Sequence, residues 1–378
     1  MTANLRQAVG SLLVVGLGGT ELTGLEREWL RLVRPGGVIL FKRNIVDASQ
    51  TRALLDEATG LGASHSVRCV DVEGGTVNRL RDALAALPSA QAVGSATRKM
   101  RKPALAVEFG ELIARAVKAF GFNTTLAPVV DLALPEAGEI LGSRPPGTNA
   151  AEVTEFAQAF LRGLAAHGVV GCGKHFPGLG GAVSDTHFVT PEIGRTWRQI
   201  WERDLVPYRE LHAAMPMIMM NHAAYPSTPG KNRPASASKF WITSVLRKRI
   251  GYRGIILSDD LEMGGILKFL PVDEAAIAAV RAGSDLLEIC HSAELILRSY
   301  EALIVEAERS VAFRKLLLAR AREASRKRAR LYPNQVSRPL STKQLDALRD
   351  RMFRFRERVA ASGTYTISPR AAAPAETS

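Results

Sequence analysis

Two short stretches of this sequence place ionisable side chains next to glycines, directly after apolar runs rich in β-forming residues. Parallel-sheet enzymes build their active sites where strands end. A carboxylate from one strand end and a histidine from another can support covalent acid/base catalysis, so the pattern predicts an enzyme. The two stretches are Lys174-His175-Phe176-Pro177-Gly178, which leads to Asp185-Thr186-His187, and Ser258-Asp259-Asp260-Leu261.

Asp259 is the candidate nucleophile. Neighbouring residues on an extended chain point to opposite sides, so one of Asp259 and Asp260 can enter a site while the other pairs with structure outside it. A carboxylate in this position can attack an electrophilic carbon, of which the anomeric carbon of a glycoside is the best candidate. The alternative is that both aspartates cap a helix that begins near Leu261.

His187 is the candidate general acid/base. It lies in a glycine-bearing loop, two residues after Asp185, whose carboxylate can accept a ring N–H and thereby fix the tautomer and raise the basicity of the imidazole. The alternative is a loop turn with an incidental histidine.

Lys174, His175 and Asp71 are candidates for hydrogen bonds to the hydroxyl groups of a sugar. Lys174 could instead form a Schiff base, as strand-end lysines do in barrel aldolases. The sequence has no HExxH motif, and His175, His187 and His222 lack the grouped second carboxylate of a metal cage. We therefore expect no metal and no other cofactor.

Eight apolar runs alternate with helical patterns along the chain. Near-continuous apolar strands of this kind predict a parallel sheet that is buried on both faces, and eight of them predict a closed α/β structure, a single-domain (β/α)8 TIM-type barrel. The polar candidates, including Arg144, follow the runs rather than precede them, as a site at the carboxyl-end rim requires. The predicted strands are 12–16, 37–41, 66–71, 123–129, 169–174, 217–221, 254–258 and 285–289.

The barrel domain is predicted to occupy residues 1–361, with a last helix at 341–361, and residues 362–378 are predicted to be a disordered tail. We interpret the N-terminal apolar run, 8–15, as the first strand and not as a signal peptide. No apolar run is long enough to span a bilayer. Three cysteines without a CxxC motif exclude a disulfide scaffold. We therefore expect a cytoplasmic protein.

The chain of 378 residues carries a formal charge of +13. Much of the surplus lies at 314–330, where basic residues alternate with Ala and Leu at helical spacing, as on the solvent face of a late helix. No aromatic ladder or zinc-finger spacing accompanies it, so we do not expect nucleic-acid binding. The alternative is a non-catalytic protein that binds anionic cell-wall polymers through this segment.

Seven motifs in order carry a resemblance to a known family. The chain closely resembles the single-domain bacterial β-N-acetylglucosaminidases of glycoside hydrolase family 3, which recycle cell-wall muropeptides. The motifs are Asp71-x-Glu-Gly-Gly, Leu126-Ala-Pro-Val-Val-Asp-Leu132, Gly142-Ser-Arg144, Lys174-His-Phe-Pro-Gly178 with Asp185-Thr-His187, Met220-Asn-His222, Pro234-Ala-Ser236 and Ser258-Asp-Asp-Leu-Glu-Met263.

The resemblance implies a retaining hydrolase that removes terminal, non-reducing β-linked N-acetylglucosamine. It implies that Asp259 is the nucleophile, that His187 is the acid/base and that Asp185 is its partner in a mobile loop. The substrate-binding residues that we predict are Asp71, Arg79, Arg144, Lys174, His175 and His222.

The chain departs from the family pattern in two places, the stretch after Gly178 and the position after Gly75, and neither concerns a residue of this set. Leu179 stands where the family commonly has His, Gly181-Ala182 stand where it has Asp-Thr, and Thr76 replaces an arginine. An N-acetylglucosaminide phosphorylase acting at the same site is an alternative to the hydrolase. For the oligomeric state, which the sequence does not reveal, a monomer is slightly favoured.

Overall fold

The computed structural model describes residues 2–182, 190–231, 233–333 and 338–364. Within these ranges eight parallel strands close into a barrel, in which each strand pairs with the next along the chain and the last pairs with the first. Each predicted run overlaps one of them, and the predicted (β/α)8 barrel is confirmed. The strands are β1 (Leu13–Val15), β2 (Gly37–Leu40), β3 (Val67–Val70), β4 (Thr124–Thr125), β5 (Val170–Phe176), β6 (Met217–Met220), β7 (Ile255–Asp260) and β8 (Leu286–Ile289).

Helices cover the outside of the barrel. Among the described residues, none of these helices combines the length and the hydrophobicity that a membrane-spanning segment needs. A short antiparallel hairpin, Val72–Gly74 with Val77–Asn78, follows β3. The longer helices are Thr2–Gly10, Gly24–Val33, Ala48–Gly60, Ala90–Met100, Ala104–Ala119, Ala150–Ala166, Phe240–Arg249, Val272–Ala282, Ala293–Arg309, Val311–Leu331 and Thr342–Ala361. The shorter helical segments are Lys42–Asn44, Pro135–Ala137, Gly138–Leu141, Trp197–Gln199, Ile200–Asp204, Val206–Leu211, Ala235–Ala237 and Gly264–Leu267.

Local sequence explains where these elements form. All four residues of β6 (Met-Ile-Met-Met) are buried, as in a parallel strand covered on both faces. Several helices begin at a residue whose side chain accepts a backbone N–H of the first turn, which satisfies a donor that the helix itself leaves unpaired. These N-cap residues are Thr23, Asp47, Ser89, Asn149, Ser292, Ser310 and Ser341.

The prediction that the N-terminal apolar run, 8–15, forms the first strand is only partly correct. Residues Thr2–Gly10 form a helix, and the first strand begins at Leu13. Leu5 and Val9 are buried and stand four residues apart, which is the spacing of one helix face rather than of a strand. A Cβ atom at Gly10 would lie 1.6 Å from the carbonyl oxygen of Val33, so the helix approaches its neighbour too closely for any other residue there.

The basic segment at 314–330 does form a helix, Val311–Leu331, but it is not only a solvated face. Arg328 is fully buried and donates to the carbonyl oxygen of Ser11, just before β1. Lys327 donates to Asp285, which precedes β8. The hydroxyl of Tyr332 lies 2.8 Å from Thr124 Oγ1 of β4. These contacts join the C-terminal part of the chain to the amino-end face of the barrel.

The helix Thr342–Ala361, predicted at 341–361, packs on the outside of the barrel. Its buried residues, Leu348, Met352, Phe355 and Val359, lie on one face, and the ring of Phe355 stacks on that of Phe109 with centroids 5.8 Å apart. The predicted tail lies outside the described residues from 365 onward.

Asp285 is the centre of the ion cluster at the amino-end face. Its carboxylate is fully buried and accepts from the Arg247 guanidinium, from Lys327 Nζ at 3.0 Å and from the backbone N–H of Ile256 at 2.8 Å. One carboxylate therefore balances two cations contributed by two different helices.

We expect Asp285→Asn to lower the free energy of unfolding by about 3–5 kcal/mol, because it removes the closest counter-charge of two partly buried cations, Arg247 and Lys327. Urea denaturation measures this. Asp346→Asn is the matched control: Asp346 pairs with Arg349 at the surface, and its loss should cost at most about 0.5 kcal/mol. Equal effects of the two substitutions would contradict the structural role of Asp285.

Candidate active site at the carboxyl ends of the strands

Two residues with carboxylate side chains follow the end of β3. Asp71 directly follows the strand, and Glu73 lies on the first strand of the hairpin. The turn of this hairpin requires glycine: Gly74 has φ +90°, and a Cβ atom there would lie 2.3 Å from the carbonyl oxygen of Pro88. The backbone therefore folds tightly enough to bring both carboxylates to the barrel mouth.

Lys174 of β5 lies between these two carboxylates. Its Nζ is 2.8 Å from Asp71 Oδ1 and 2.7 Å from Glu73 Oε1, and its side chain is only 4% exposed. Arg144 binds Glu73 through two parallel hydrogen bonds of 2.9 Å, which is the strong bidentate geometry. A buried cation, Lys174, and a partly buried one, Arg144, thus alternate with two carboxylates.

The charges of this cluster hold each other ionised. Burial opposes every charged form, but Arg144 and Lys174 hold the pKa of Glu73 well below its ordinary value, and Lys174 and Arg79 lower the pKa of Asp71. The same two carboxylates raise the pKa of Lys174 against the effect of burial. Lys174 is therefore a cation at neutral pH. This argues against the aldolase alternative, because a Schiff base requires a neutral amine.

His175 connects the cluster to the loop that follows β4. Its Nε2 lies 3.2 Å from Arg144 Nη2, and its Nδ1 lies 2.7 Å from Asp131 Oδ2. Because a guanidinium only donates, Nε2 accepts and Nδ1–H donates to Asp131. Asp131 also accepts the backbone N–H of Leu179 at 2.7 Å. The orientation of the His175 ring is therefore fixed from both sides.

Both site-bearing strands are irregular near their carboxyl ends. In β7 the pairing with β8 shifts by one residue between Leu257 and Asp260, and in β5 the pairing with β6 shifts between Gly173 and Phe176. An extra residue of this kind changes the direction of a side chain and is frequent beside active sites. The Lys174–His175 peptide bond, within the second irregularity, is cis.

Asp259 and Asp260 point in different directions, as their alternation on a strand predicts. Asp260 accepts the backbone N–H of Glu262 through Oδ1 and lies 3.4 Å from His291 Nε2 through Oδ2. Asp259 accepts the backbone N–H of Asp260 at 3.0 Å, and no residue of the described ranges forms an ion pair with it. Its carboxylate thus keeps acceptor positions available.

His222 follows β6 and contacts the carboxyl end of β7, the strand that carries Asp259. It is fully buried, its Nδ1 is 2.7 Å from Ser236 Oγ, and its Nε2 is 2.9 Å from the carbonyl oxygen of Asp260. A carbonyl only accepts, so Nε2 carries the proton and Nδ1 accepts from the serine. Burial lowers the pKa of His222. Both ring nitrogens are occupied, and the contact supports the end of β7.

Glu288 of β8 is a buried carboxyl group inside the barrel. Its Oε1 accepts a long hydrogen bond from Cys69 Sγ, 3.9 Å away. Burial, followed by the charges of Asp259 and Asp71, raises the pKa of Glu288 well above its ordinary value, and Lys174 opposes this only in part. The buried site therefore favours the protonated form of this side chain.

The structure thus brings together Asp71, Arg144, Lys174 and His175, and Arg79 joins them with Nη2 3.9 Å from Asp71 Oδ2. Asp259 and His222 lie at the ends of the next strands along the rim. Asp185 and His187 lie outside the described residues, and their assignment stays a prediction. No group of three or more potential metal-ligating side chains occurs in the described part of the chain.

Three contributors to the site were not among the predicted residues, namely Glu73, Asp131 and Glu288. Glu73 and Asp131 stand within two of the motifs quoted above, two residues beyond the predicted runs 66–71 and 123–129, and that position was the available signal. Glu288 interrupts an apolar strand with a charge. That unusual pattern could have marked it as a residue facing the lumen below the site.

The departures from the family pattern leave these contacts intact. Leu179 reaches Asp131 through its backbone N–H, which no side chain affects. Thr76 lies exposed at the hairpin turn. At Gly181 a Cβ atom would lie 2.9 Å from Arg195 Nε, so the glycine leaves room for the guanidinium that pairs with Asp204.

A closed (β/α)8 barrel with carboxylates, cations and histidines at its carboxyl-end rim is the architecture of a barrel enzyme. The chain belongs to glycosyl hydrolase family 3, because residues 4–313 match the model of the family's N-terminal domain. This match and the relatives described next confirm the predicted family and the predicted enzyme class, a β-N-acetylhexosaminidase glycosidase.

Two relatives named beta-hexosaminidase illustrate the match. That of Idiomarina loihiensis is 33% identical over 279 residues, which are 74% of this chain and 83% of the relative. That of Chromobacterium violaceum is 37% identical over 285 residues, which are 75% of this chain and 79% of the relative.

Solved structures agree with this. The NagZ protein of Neisseria gonorrhoeae in complex with N-trifluoroacetyl-D-glucosamine superimposes with a TM-score of 0.74 at 28% identity, covering 93% of this chain and 98% of that one. The family 3 β-N-acetylglucosaminidase of Paenibacillus sp. str. FPU-7 gives a TM-score of 0.82 at 28% identity, covering 93% of this chain and 68% of that one.

Glu288→Gln should stabilise the protein increasingly as the pH rises. Because the pKa of Glu288 is raised in the folded protein, the fold retains a proton that the unfolded chain releases near the ordinary value of 4.5. Between that pH and the folded-state pKa the wild type loses stability with increasing pH. The glutamine cannot ionise, so the melting temperature of the variant minus that of the wild type should grow as the pH rises above 4.5.

Thermal unfolding at several pH values measures the difference. Glu301→Gln, at an exposed position, is the control and should give a difference that does not depend on pH. A pH-independent difference for Glu288→Gln would show that the carboxyl group is not held neutral.

Proposed function

We propose that this protein hydrolyses terminal, non-reducing β-linked N-acetylglucosamine with retention of configuration, through a covalent intermediate on Asp259. One observation carries the proposal. Asp259 stands at the carboxyl end of β7 with acceptor positions available, on the same rim as the buried Lys174 cluster. The beta-hexosaminidase names of the relatives and the N-acetylated glucosamine ligand of the NagZ structure support the choice of sugar.

In the first step the Asp259 carboxylate attacks the anomeric carbon while the bond to the leaving oxygen breaks, and His187 donates its proton to that oxygen. In the second step His187 removes a proton from water, the water oxygen attacks the anomeric carbon, and the bond to Asp259 breaks. Asp185 orients the imidazole by accepting its other ring N–H. The configuration is inverted twice and thus retained.

The buried cluster suits recognition of the sugar. Asp71 keeps acceptor capacity for hydroxyl groups because its two oxygens are not both held at short distance by cations: Lys174 lies 2.8 Å from Oδ1, whereas Arg79 lies 3.9 Å from Oδ2. Arg144, Lys174 and His175 are held rigidly by Glu73 and Asp131. A sugar therefore meets N–H donors of Lys174 and Arg144 that are already held in place, so that little entropy is lost on binding, whereas both ring nitrogens of His175 are engaged within the protein.

The natural substrate that we propose is a fragment derived from cell-wall peptidoglycan, and the proposed compartment is the cytoplasm. Three buried free thiols, Cys69, Cys172 and Cys290, suit a reducing environment. Hydrolysis and phosphorolysis at this site differ in the molecule that attacks the anomeric carbon in the second step, which is water in the first case and phosphate in the second. Product analysis with and without added phosphate distinguishes them.

Asp259→Ala should reduce release of 4-nitrophenol from its β-N-acetylglucosaminide by about 10³-fold or more, because the covalent step is removed. In the wild type, a slow fluorinated N-acetylglucosaminide should label a single peptide that contains Asp259, which tandem mass spectrometry identifies. Asp260→Asn is the neighbouring control and should still be labelled at Asp259. A label on another residue would overturn the assignment.

His187→Ala should slow glycosides with poor leaving groups far more than activated ones, because only the former need a proton. We expect kcat/KM to fall by about 10²–10⁴-fold for a phenyl glycoside and much less for a 2,4-dinitrophenyl glycoside. Equal losses for both substrates would contradict the acid/base role of His187.

A further inference from the structure

A groove on the carboxyl-end face of the barrel is not used by the mechanism above. It has a volume of about 270 Å³, near the lower end of small-molecule sites. Three neighbouring segments form its walls: the one that precedes the helix Trp197–Gln199, the loop after β6 and the loop after β7. The lining residues are Thr190, Glu192, Ala224, Pro226, Arg233, Pro234, Lys268 and Phe269.

Short structural links connect this groove to the end of β7. Pro234 stands two residues before Ser236, which holds His222, and His222 in turn donates to the carbonyl oxygen of Asp260. The hydroxyl of Thr190 donates to the carbonyl oxygen of Gly265, five residues after Asp260. The contacts of His222 and Thr190 therefore connect the groove wall to the end of β7, which carries the proposed nucleophile.

The position of Thr190 in the sequence relates the groove to the leaving group. Thr190 stands three residues after His187, and three residues of extended chain span at most about 10 Å. Under the proposed function, on which this inference rests, His187 must reach the leaving oxygen. The leaving group therefore departs within reach of the groove wall.

The charges of the groove specify what it can bind. Arg233 and Lys268 are exposed, and neither forms an ion pair with any described residue. Glu192 is the opposing carboxylate, so the lining keeps a net positive charge. Phe269 is 40% exposed and, with two prolines, supplies an apolar surface next to the cations.

We infer that this groove binds the leaving-group side of the substrate and selects aglycones that combine an apolar portion with a carboxylate. The apolar portion contacts Phe269 and the prolines, and the carboxylate is attracted by Lys268 and Arg233. Because both cations are exposed, the attraction is modest and is screened by salt.

Two glycosides that differ only in aglycone charge test this, namely 4-carboxyphenyl and 4-methoxycarbonylphenyl β-N-acetylglucosaminide. The quantity measured is the ratio of their kcat/KM values. We expect Lys268→Gln and Arg233→Gln each to lower the acid-to-ester ratio about 3-fold at low salt, and the double variant about 10-fold, which corresponds to exposed charge pairs. Comparing both substrates in one enzyme preparation cancels any loss of folded protein.

Lys315→Gln is the matched control: it removes an exposed lysine from the helix Val311–Leu331 and should leave the ratio at the wild-type value. Added salt should lower the wild-type ratio and leave that of the double variant unchanged. If the ratio is the same in all variants while both glycosides are cleaved, the inference is wrong and the proposed function stands. If neither glycoside is cleaved by the wild type, the proposed function fails, and this inference fails with it.

Discussion

The ionic bond between Lys174 and the carboxylates of Asp71 and Glu73 is the constraint on which the site depends. Burying a charge costs several kcal/mol unless a counter-charge is present at hydrogen-bond distance. Here positive and negative side chains alternate, which offsets the cost. Glu73 lies between Lys174 and Arg144, and Lys174 lies between Glu73 and Asp71. Such a cluster can exist only where several strand ends converge, and the barrel provides that convergence.

The amino-end face of the barrel uses the same physics for a different purpose. Asp285 joins Arg247 and Lys327 beneath the strands, and the residues involved come from two helices and the segment before β8. The Asp285 side chain is fully buried, so a ligand cannot reach this cluster. At the carboxyl-end face, by contrast, Asp71 and Asp259 are partly exposed and retain acceptor positions. An ion cluster that is closed off from solvent stabilises the fold, whereas one that opens to the barrel mouth can bind a substrate.

The strands and the rim location of the site could be predicted because they depend on local signals. Apolar runs mark β6 and β8, and polar residues directly after a strand must lie at its carboxyl end. The errors arose where distant parts of the chain meet. Nothing local shows that Lys327 and Arg328 turn inward to meet Asp285 and the carbonyl of Ser11. The helix Thr2–Gly10 was missed because only Gly10 and Ser11 separate its last apolar residues from Leu12 and β1, and a short apolar run suits either element.

The two halves of the proposed substrate meet environments of opposite character, and this sets different degrees of selectivity. Lys174 and Asp71 are held rigidly and keep a donor and an acceptor for the sugar, so a sugar that lacks the matching hydroxyl leaves a polar group of the site unpaired, which can cost a factor of about 10⁴ in kcat/KM. Lys268 and Arg233 are exposed, so water replaces any missing partner at little cost. A protein built in this way distinguishes sugars sharply and aglycones only by degree, and a range of leaving groups can therefore be processed by one invariant sugar site.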